Sequence, residues 1–104
     1  MQTTITVRHS EVSEALRQRA ITVVERLGNM ATRPMEMTVV FDTEGQAQTA
    51  ELRLHLAKGE ILVAKGSGSD HRSALDRAEE KLRRQLERAS SRPRRARTAQ
   101  PKNL

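Results

Sequence analysis

Three groups of residues in this chain have the types and spacing to do chemistry: three histidines, a glycine-rich segment, and a set of arginines and lysines at helical intervals. His9, His55 and His71 lie 46 and 16 residues apart, with no H-x-x-x-H spacing and no paired carboxylate motif, so they read as unpaired surface histidines and not as a metal site. Ser, His and Asp all occur, yet no nucleophile elbow or Walker loop frames them, and the chain is not expected to be an enzyme. Gly66-Ser67-Gly68-Ser69-Asp70 opens onto a helical pattern and could offer backbone N–H groups to a phosphate. The full G-x-G-x-x-G is missing because position 71 is His, and an Asp70 carboxylate would repel an anion. A flexible turn followed by a capping aspartate explains the same residues. Neither a metal nor a cofactor is expected.

The cations are more informative. With Ala74 at zero and 100° per residue, the second helical segment centres its apolar residues near about 70° and places Arg77, Lys81, Arg84 and Arg88 between about 280° and 340°. Asp76, Glu80 and Glu87 fall near about 200–240°, so acid and base are sorted into separate stripes. The result is a four-cation row with intervals of 4, 3 and 4. On the first helical segment Arg19 and Arg26 lie seven apart on one flank of the apolar face, with Arg17 on the other. Glu80 to Arg84 and Asp76 to Lys81 have the spacing of intrahelical pairs, which would make the row only a solvated face. Arg92-Pro93-Arg94-Arg95-Ala96-Arg97 tips the reading, because it continues from the end of that helix and carries a cationic strip, suited to a phosphate backbone, beyond the folded body. The candidate phosphate contacts are therefore Arg17, Arg19, Arg26, Arg77, Lys81, Arg84, Arg88, Arg92, Arg94, Arg95 and Arg97.

The distribution of charge agrees with this weighting. The net charge is +6, but residues 1–69 hold eight basic and eight acidic side chains, residues 70–89 six and five, and residues 90–104 five basic and none acidic. The body is near neutral and the tail carries the excess. The one aromatic residue, Phe41, shares the parity of Met37 and Val39 in the expected core, so stacking of bases on a sheet is disfavoured. Folded RNA, recognised by phosphates and shape, fits better.

The elements that must position these side chains follow from periodicity. Thr3 to Arg8 alternates with period two and predicts a strand. Ser13 caps a helix whose apolar residues Leu16, Ala20, Val23, Val24 and Leu27 lead to Gly28-Asn29. Met35 to Asp42, Ala50 to Leu56 and Ile61 to Lys65 predict three more strands, joined by turns at Glu44-Gly45 and Lys58-Gly59. Ala74, Leu75, Ala78, Leu82, Leu86 and Ala89 predict a second helix ending near Ala89. The fold class is α+β, in the order β-α-β-β-β-α: a four-stranded mixed sheet with strands one and two parallel through a right-handed crossover and the rest antiparallel. Both helices pack on one face, leaving Thr49, Glu51, Arg53 and His55 in water on the other. Two units are expected, an α+β domain over 1–89 and a disordered basic tail over 90–104.

With 104 residues and 36% apolar content the chain allows one core, and its lack of cysteine removes disulfides and thiolate chemistry. No apolar run approaches the roughly 20 residues that cross a bilayer, and Met1-Gln2-Thr3-Thr4-Ile5 lacks the pattern of a signal peptide. A cytoplasmic protein is expected, monomeric when free, without a membrane or small-molecule partner.

Val12-Ser13-Glu14-Ala15-Leu16-Arg17, Gly59-Glu60-Ile61, and Asp70 followed by Ala74-Leu75-Asp76, Lys81-Leu82 and Arg84-Gln85-Leu86 resemble the ribosome hibernation promoting factor and ribosome-associated inhibitor family, in its short form, over residues 1 to about 89. The resemblance implies the same fold and implies binding in the cleft of the small ribosomal subunit, over the messenger and transfer RNA sites, so that idle ribosomes stay out of translation. It also implies contacts to ribosomal RNA from Arg17, Arg26, Lys81, Arg84 and Arg88. The chain departs from the family pattern at Arg72, where an aromatic is common, and at Val23, where a basic residue is common. Two other readings stand beside this one. The first is a protein-interaction module regulating transcription machinery, docking an acidic partner on the open sheet face or the tail. The second is a generic structured-RNA or DNA binder acting through the tail.

Overall fold

A computed structural model describes residues 1–102, with side chains through residue 89. The order is β1 (Gln2–Val7), α1 (Glu14–Met30), β2 (Pro34–Glu44), β3 (Ala47–Leu56), β4 (Ile61–Gly68) and α2 (His71–Lys102). The backbone of α2 continues past Ala89, where Ser90-Ser91-Arg92-Pro93 predicts a stop. The expected disordered tail over 90–104 lies outside the residues described with side chains.

The sheet runs β1-β2-β3-β4. β1 pairs parallel with β2 (Thr3 with Met37, Ile5 with Val39), and the two later pairings are antiparallel (Val39 with Leu52, Leu52 with Ala64). Those registers put Met37, Val39 and Phe41 beside Leu54, Leu52 and Ala50 on one face, and the two helices bury Ala20, Val23, Val24 and Leu27, and Ala74, Leu75, Ala78, Leu82 and Leu86, against it. Phe41 is wholly buried there, as its parity predicts.

Local chemistry explains where the helices begin. The Ser13 hydroxyl accepts from the Leu16 amide at 3.1 Å, satisfying one of the donors that a helix start leaves free. Asp70 does the same for α2, its carboxylate accepting from the Ser73 amide at 2.7 Å, and that bond holds its pKa below the ordinary carboxylate value.

Two expectations are corrected. Gly66, Ser67 and Gly68 are not a flexible turn but the last residues of β4. A Cβ on Gly66 would stand 2.7 Å from the Ala78 amide nitrogen and 2.9 Å from Arg77 Cβ, so glycine is there to let helix and strand touch. Thr49 does lie on the sheet face away from the helices, yet it is 3% exposed. Lys65 of β4 reaches across β3 to Glu44 of β2 at 2.6 Å, and the registers place Thr49 beneath that bridge.

Candidate nucleic-acid interface

The four-cation row of α2 is exposed along its whole length and runs beside β4, the outer strand of the sheet. What its members bond to decides how much charge remains to act outward. The Arg77 guanidinium donates to the carbonyl of Ser67, and the Lys81 ammonium donates to the carbonyl of Lys65 at 2.7 Å. Gln85, one turn on, donates to the carbonyl of Val63 at 2.8 Å. These carbonyls alternate along the free edge of β4, so three side chains at intervals of four residues cap one sheet edge. A carbonyl is neutral. Arg77 and Lys81 are therefore held in place without losing their positive charge, while acid partners would have cancelled it.

The rest of the row is arranged differently. Arg84 Nε lies 3.3 Å from Glu80, the pairing its spacing predicts, and Arg83 donates to the same carboxylate. Its side chain remains 65% exposed, so this contact contributes little and is easily exchanged. Arg88 is exposed and engaged in an interaction of its own. The predicted pair of Asp76 with Lys81 does not form, because Asp76 is taken by α1.

That contact separates the α1 cations from the row. Arg19 reaches Asp76 through Nε and Nη2 at 3.1 and 2.8 Å, and Arg26 reaches Glu79 at 3.0 and 3.2 Å. Arg26 meets both carboxylate oxygens of Glu79, while both donors of Arg19 converge on one oxygen of Asp76, so two ion pairs tie α1 to α2. Arg19 and Arg26 are thus compensated inside the seam between the helices. Arg17, on the opposite flank of α1, is exposed, has no ion pair among the described residues, and stands away from the row. Structure thus brings together Arg77, Lys81, Arg84 and Arg88 and sets Arg17, Arg19 and Arg26 apart. Arg92, Arg94, Arg95 and Arg97 lie outside the residues described with side chains. Val23 is fully buried, which accounts for its apolar type, and Arg72 is exposed at the start of α2.

Two of the three histidines, His9 and His71, are not unpaired, contrary to expectation. His9 Nδ1 donates to the Asp42 carboxylate at 3.0 Å, and His71 Nε2 donates to the Asp42 carbonyl oxygen at 2.9 Å while its ring meets Phe41 edge-on at 5.6 Å. The His9 ring and the Thr43 amide lower the pKa of Asp42, the histidine bond being the larger cause. Around β2 these bonds fasten the β1–α1 loop and the start of α2, which is a structural use of imidazole.

Periodicity had no means of finding Gln85, because it is uncharged, nor the carbonyls of β4, because backbone atoms carry no sequence signal. The interval of four from Arg77 through Lys81 to Gln85 was the one available hint.

Comparison with known proteins places these observations. Residues 3–94 match the family model described as Sigma 54 modulation protein / S30EA ribosomal protein. The chain is 35% identical over 86 residues to the ribosome hibernation promoting factor of Escherichia coli, covering 83% of this chain and 90% of that protein. It is 35% identical over 88 residues to the protein of the same name from Salmonella typhimurium, covering 85% and 92%. Its fold is similar to that of a ribosomal subunit interface protein from Coxiella burnetii, with a TM-score of 0.76 at 18% identity over 88% of this chain and 99% of that one. The N-terminal domain of Thermus thermophilus Protein Y matches with a TM-score of 0.71 at 24% identity over 85% and 98%. No helix among the described residues is long and apolar enough to cross a membrane.

Proposed function

The chain belongs to the Sigma 54 modulation protein / S30EA ribosomal protein family, and from that premise we propose that it is a non-enzymatic ribosome hibernation factor of the cytoplasm. Its target is the small ribosomal subunit, in the cleft that messenger and transfer RNA use, where its presence blocks translation by idle ribosomes. Residues 1–89 form the binding domain, and the basic residues of 90–104 extend it along RNA. The observation that carries this reading is the bonding of Arg77 and Lys81. Both are fixed on neutral carbonyls, and together with the exposed Arg84 and Arg88 they offer ribosomal RNA a row of charge along an exposed edge. Phosphates spaced along an RNA backbone fit such a row, and no aromatic is available on the sheet to read bases.

Within this reading Arg19 and Arg26 first give up Asp76 and Glu79 if they are to reach RNA, and Arg17 touches RNA only where it wraps past α1. The row is the primary contact and the α1 arginines are secondary.

Co-sedimentation with small subunits tests the proposal. Replacing Arg77, Lys81, Arg84 and Arg88 by Gln is expected to abolish association at moderate salt. In the unaltered protein, association should weaken with salt with a log–log slope of roughly 0.7–0.9 for each phosphate contact. No association at low salt refutes it. Association that survives neutralisation of the row favours a protein-interaction module, and association that disappears only on deletion of 90–104 favours a generic binder acting through the tail.

A further inference from the structure

The two edges of the sheet are treated differently. The β4 edge is capped by Arg77, Lys81 and Gln85. The β1 edge has no such device: no side chain among the described residues bonds to it, and Gln2-Thr3-Thr4-Ile5-Thr6-Val7 contains no charge, proline or bulge. These are the features by which natural proteins keep edges from pairing. Because the Arg8 amide donates to the Phe41 carbonyl, alternation along the strand turns the N–H and C=O groups of Thr3, Ile5 and Val7 outward, away from β2.

We propose that β1 is a pairing edge for a second copy of this chain, joined antiparallel about a twofold axis at Ile5. Pairing about Ile5 sets Ile5 opposite its own copy and Thr3 opposite Val7 of the copy, so every outward-turned residue faces another and each exchanges both bonds. Parity is kept, so both helix layers stay on one side of a continuous sheet. Thr4 then faces Thr6 on the open side, a favourable cross-strand pair.

The flank of α1 supplies the specificity. With Ala20 at zero, Arg19 and Arg26 lie near about 260° and 240°, facing α2, whereas Arg17, Ile21 and Glu25 lie near about 60°, 100° and 140°, facing away from it. A groove of about 560 Å³ confirms which way this flank looks, since Ile21, Val24, Glu25 and Gly28 line it together with Met1 and Thr3 of the β1 edge. Since α1 packs over both β1 and β2, a strand spacing of about 4.8 Å brings the two α1 axes to roughly 10 Å, the distance of packed helices. Arg17, Ile21 and Glu25 read plus, apolar, minus at intervals of four. Reversed by the twofold, Ile21 meets Ile21 and Arg17 meets Glu25 of the copy, twice. Arg17 and Glu25 are both exposed with no ion pair among the described residues, so the pattern is self-complementary and unused within one chain.

Sedimentation velocity of the full chain over a wide concentration range, with hydrogen exchange of the β1 amides, tests the proposal. A dimer is expected at high concentration, with Thr3, Ile5 and Val7 amides protected in proportion to it. Arg17→Glu alone and Glu25→Arg alone should each raise the dimer dissociation constant at least about tenfold, and the two together should restore it to within about threefold. Circular dichroism checks that each exposed substitution leaves the fold intact. A monomer at every concentration overturns the proposal, as does a dimer with unprotected β1 amides or one indifferent to the reversals. So does a monomer whose β1 edge pairs only with added extended peptides.

Discussion

Gly66 of β4 and Ala78 of α2 approach so closely that a side-chain carbon on the glycine would stand 2.7 Å from the alanine amide nitrogen. Nothing flexible separates them, because the atoms around that position are the helix backbone at Ala74 and Ala78 and the Cβ of Arg77, 2.9 Å away. Gly66→Ala therefore has to push α2 off the sheet. Overpacking of this sort costs about 1–3 kcal/mol and here should fall at the upper end. Urea unfolding is expected to show a lowered midpoint with an unchanged slope, and Gly45→Asn, at a turn with φ of 63° and open space around it, should be far milder. Equal losses at the two glycines would show that close packing is not what Gly66 provides.

That contact also marks the limit of what sequence patterns carry. Strict alternation in Ala50 to Leu56 and the apolar spacing of α1 and α2 made the β-α-β-β-β-α order legible, together with the burial of Phe41, because burial on one face imposes a period. Gly66 and Gly68 misled because glycine signals both turns and close approach, and local sequence does not distinguish them. The cation row was legible as an angle on a helix, but not the fate of its neighbours: Arg19 finds Asp76 57 residues away and Arg26 finds Glu79 53 away. Alternation along β3 puts Thr49 on the face away from the helices, yet it is covered, because Lys65 and Glu44 meet only once three strands are side by side.

Releasing the α1 arginines should strengthen RNA association. Asp76→Asn and Glu79→Gln remove the carboxylates that compensate Arg19 and Arg26, turning two neutral pairs into two exposed cations beside α2. Ribosome association is expected to rise about threefold to tenfold at low salt and to fall more steeply with added salt, by roughly 0.7–0.9 in slope for each new phosphate contact. Stability should drop by about 1 kcal/mol or less for each exposed pair lost. Unchanged affinity and slope would mean that the helix seam stays clear of RNA.

Acid should loosen both the β1–α1 loop and the start of α2. Asp42 titrates below the ordinary carboxylate value, chiefly because His9 donates to it, and Asp70 does so because the Ser73 amide donates to it. A depressed folded pKa contributes stability that is fully present above the unfolded value of about 4 and is lost as pH falls through the lower folded value. The melting temperature is expected to decline across that acid window, and Asp42→Asn with Asp70→Asn should flatten the decline. His9→Ala should move the Asp42 carboxyl upward, an effect visible in its side-chain NMR titration. Lys65 behaves oppositely: Glu44 raises its pKa, so its contribution persists at neutral pH and is lost as pH rises through the raised value.

Arg77 and Lys81 have two separable roles, charge toward RNA and donors toward the β4 edge. Gln at both positions removes the charge but keeps an amide that can donate to a carbonyl, whereas Ala removes charge and donor together. Both double variants are expected to lose ribosome association alike, since affinity for a phosphate backbone depends on charge. Their behaviour in solution should differ. Ala at 77 and 81, combined with Gln85→Ala, leaves the carbonyls of Ser67, Lys65 and Val63 open on an outer strand whose exposed residues include Ile61 and Val63. Such an edge is a template for pairing with other chains. Light scattering during slow heating should show the Ala triple variant aggregating well below its own unfolding transition, with the Gln variant staying clear until it unfolds. If the Ala variant is as soluble as the Gln variant, the α2 side chains do not guard the edge, and their bonds to β4 serve only to aim the charges.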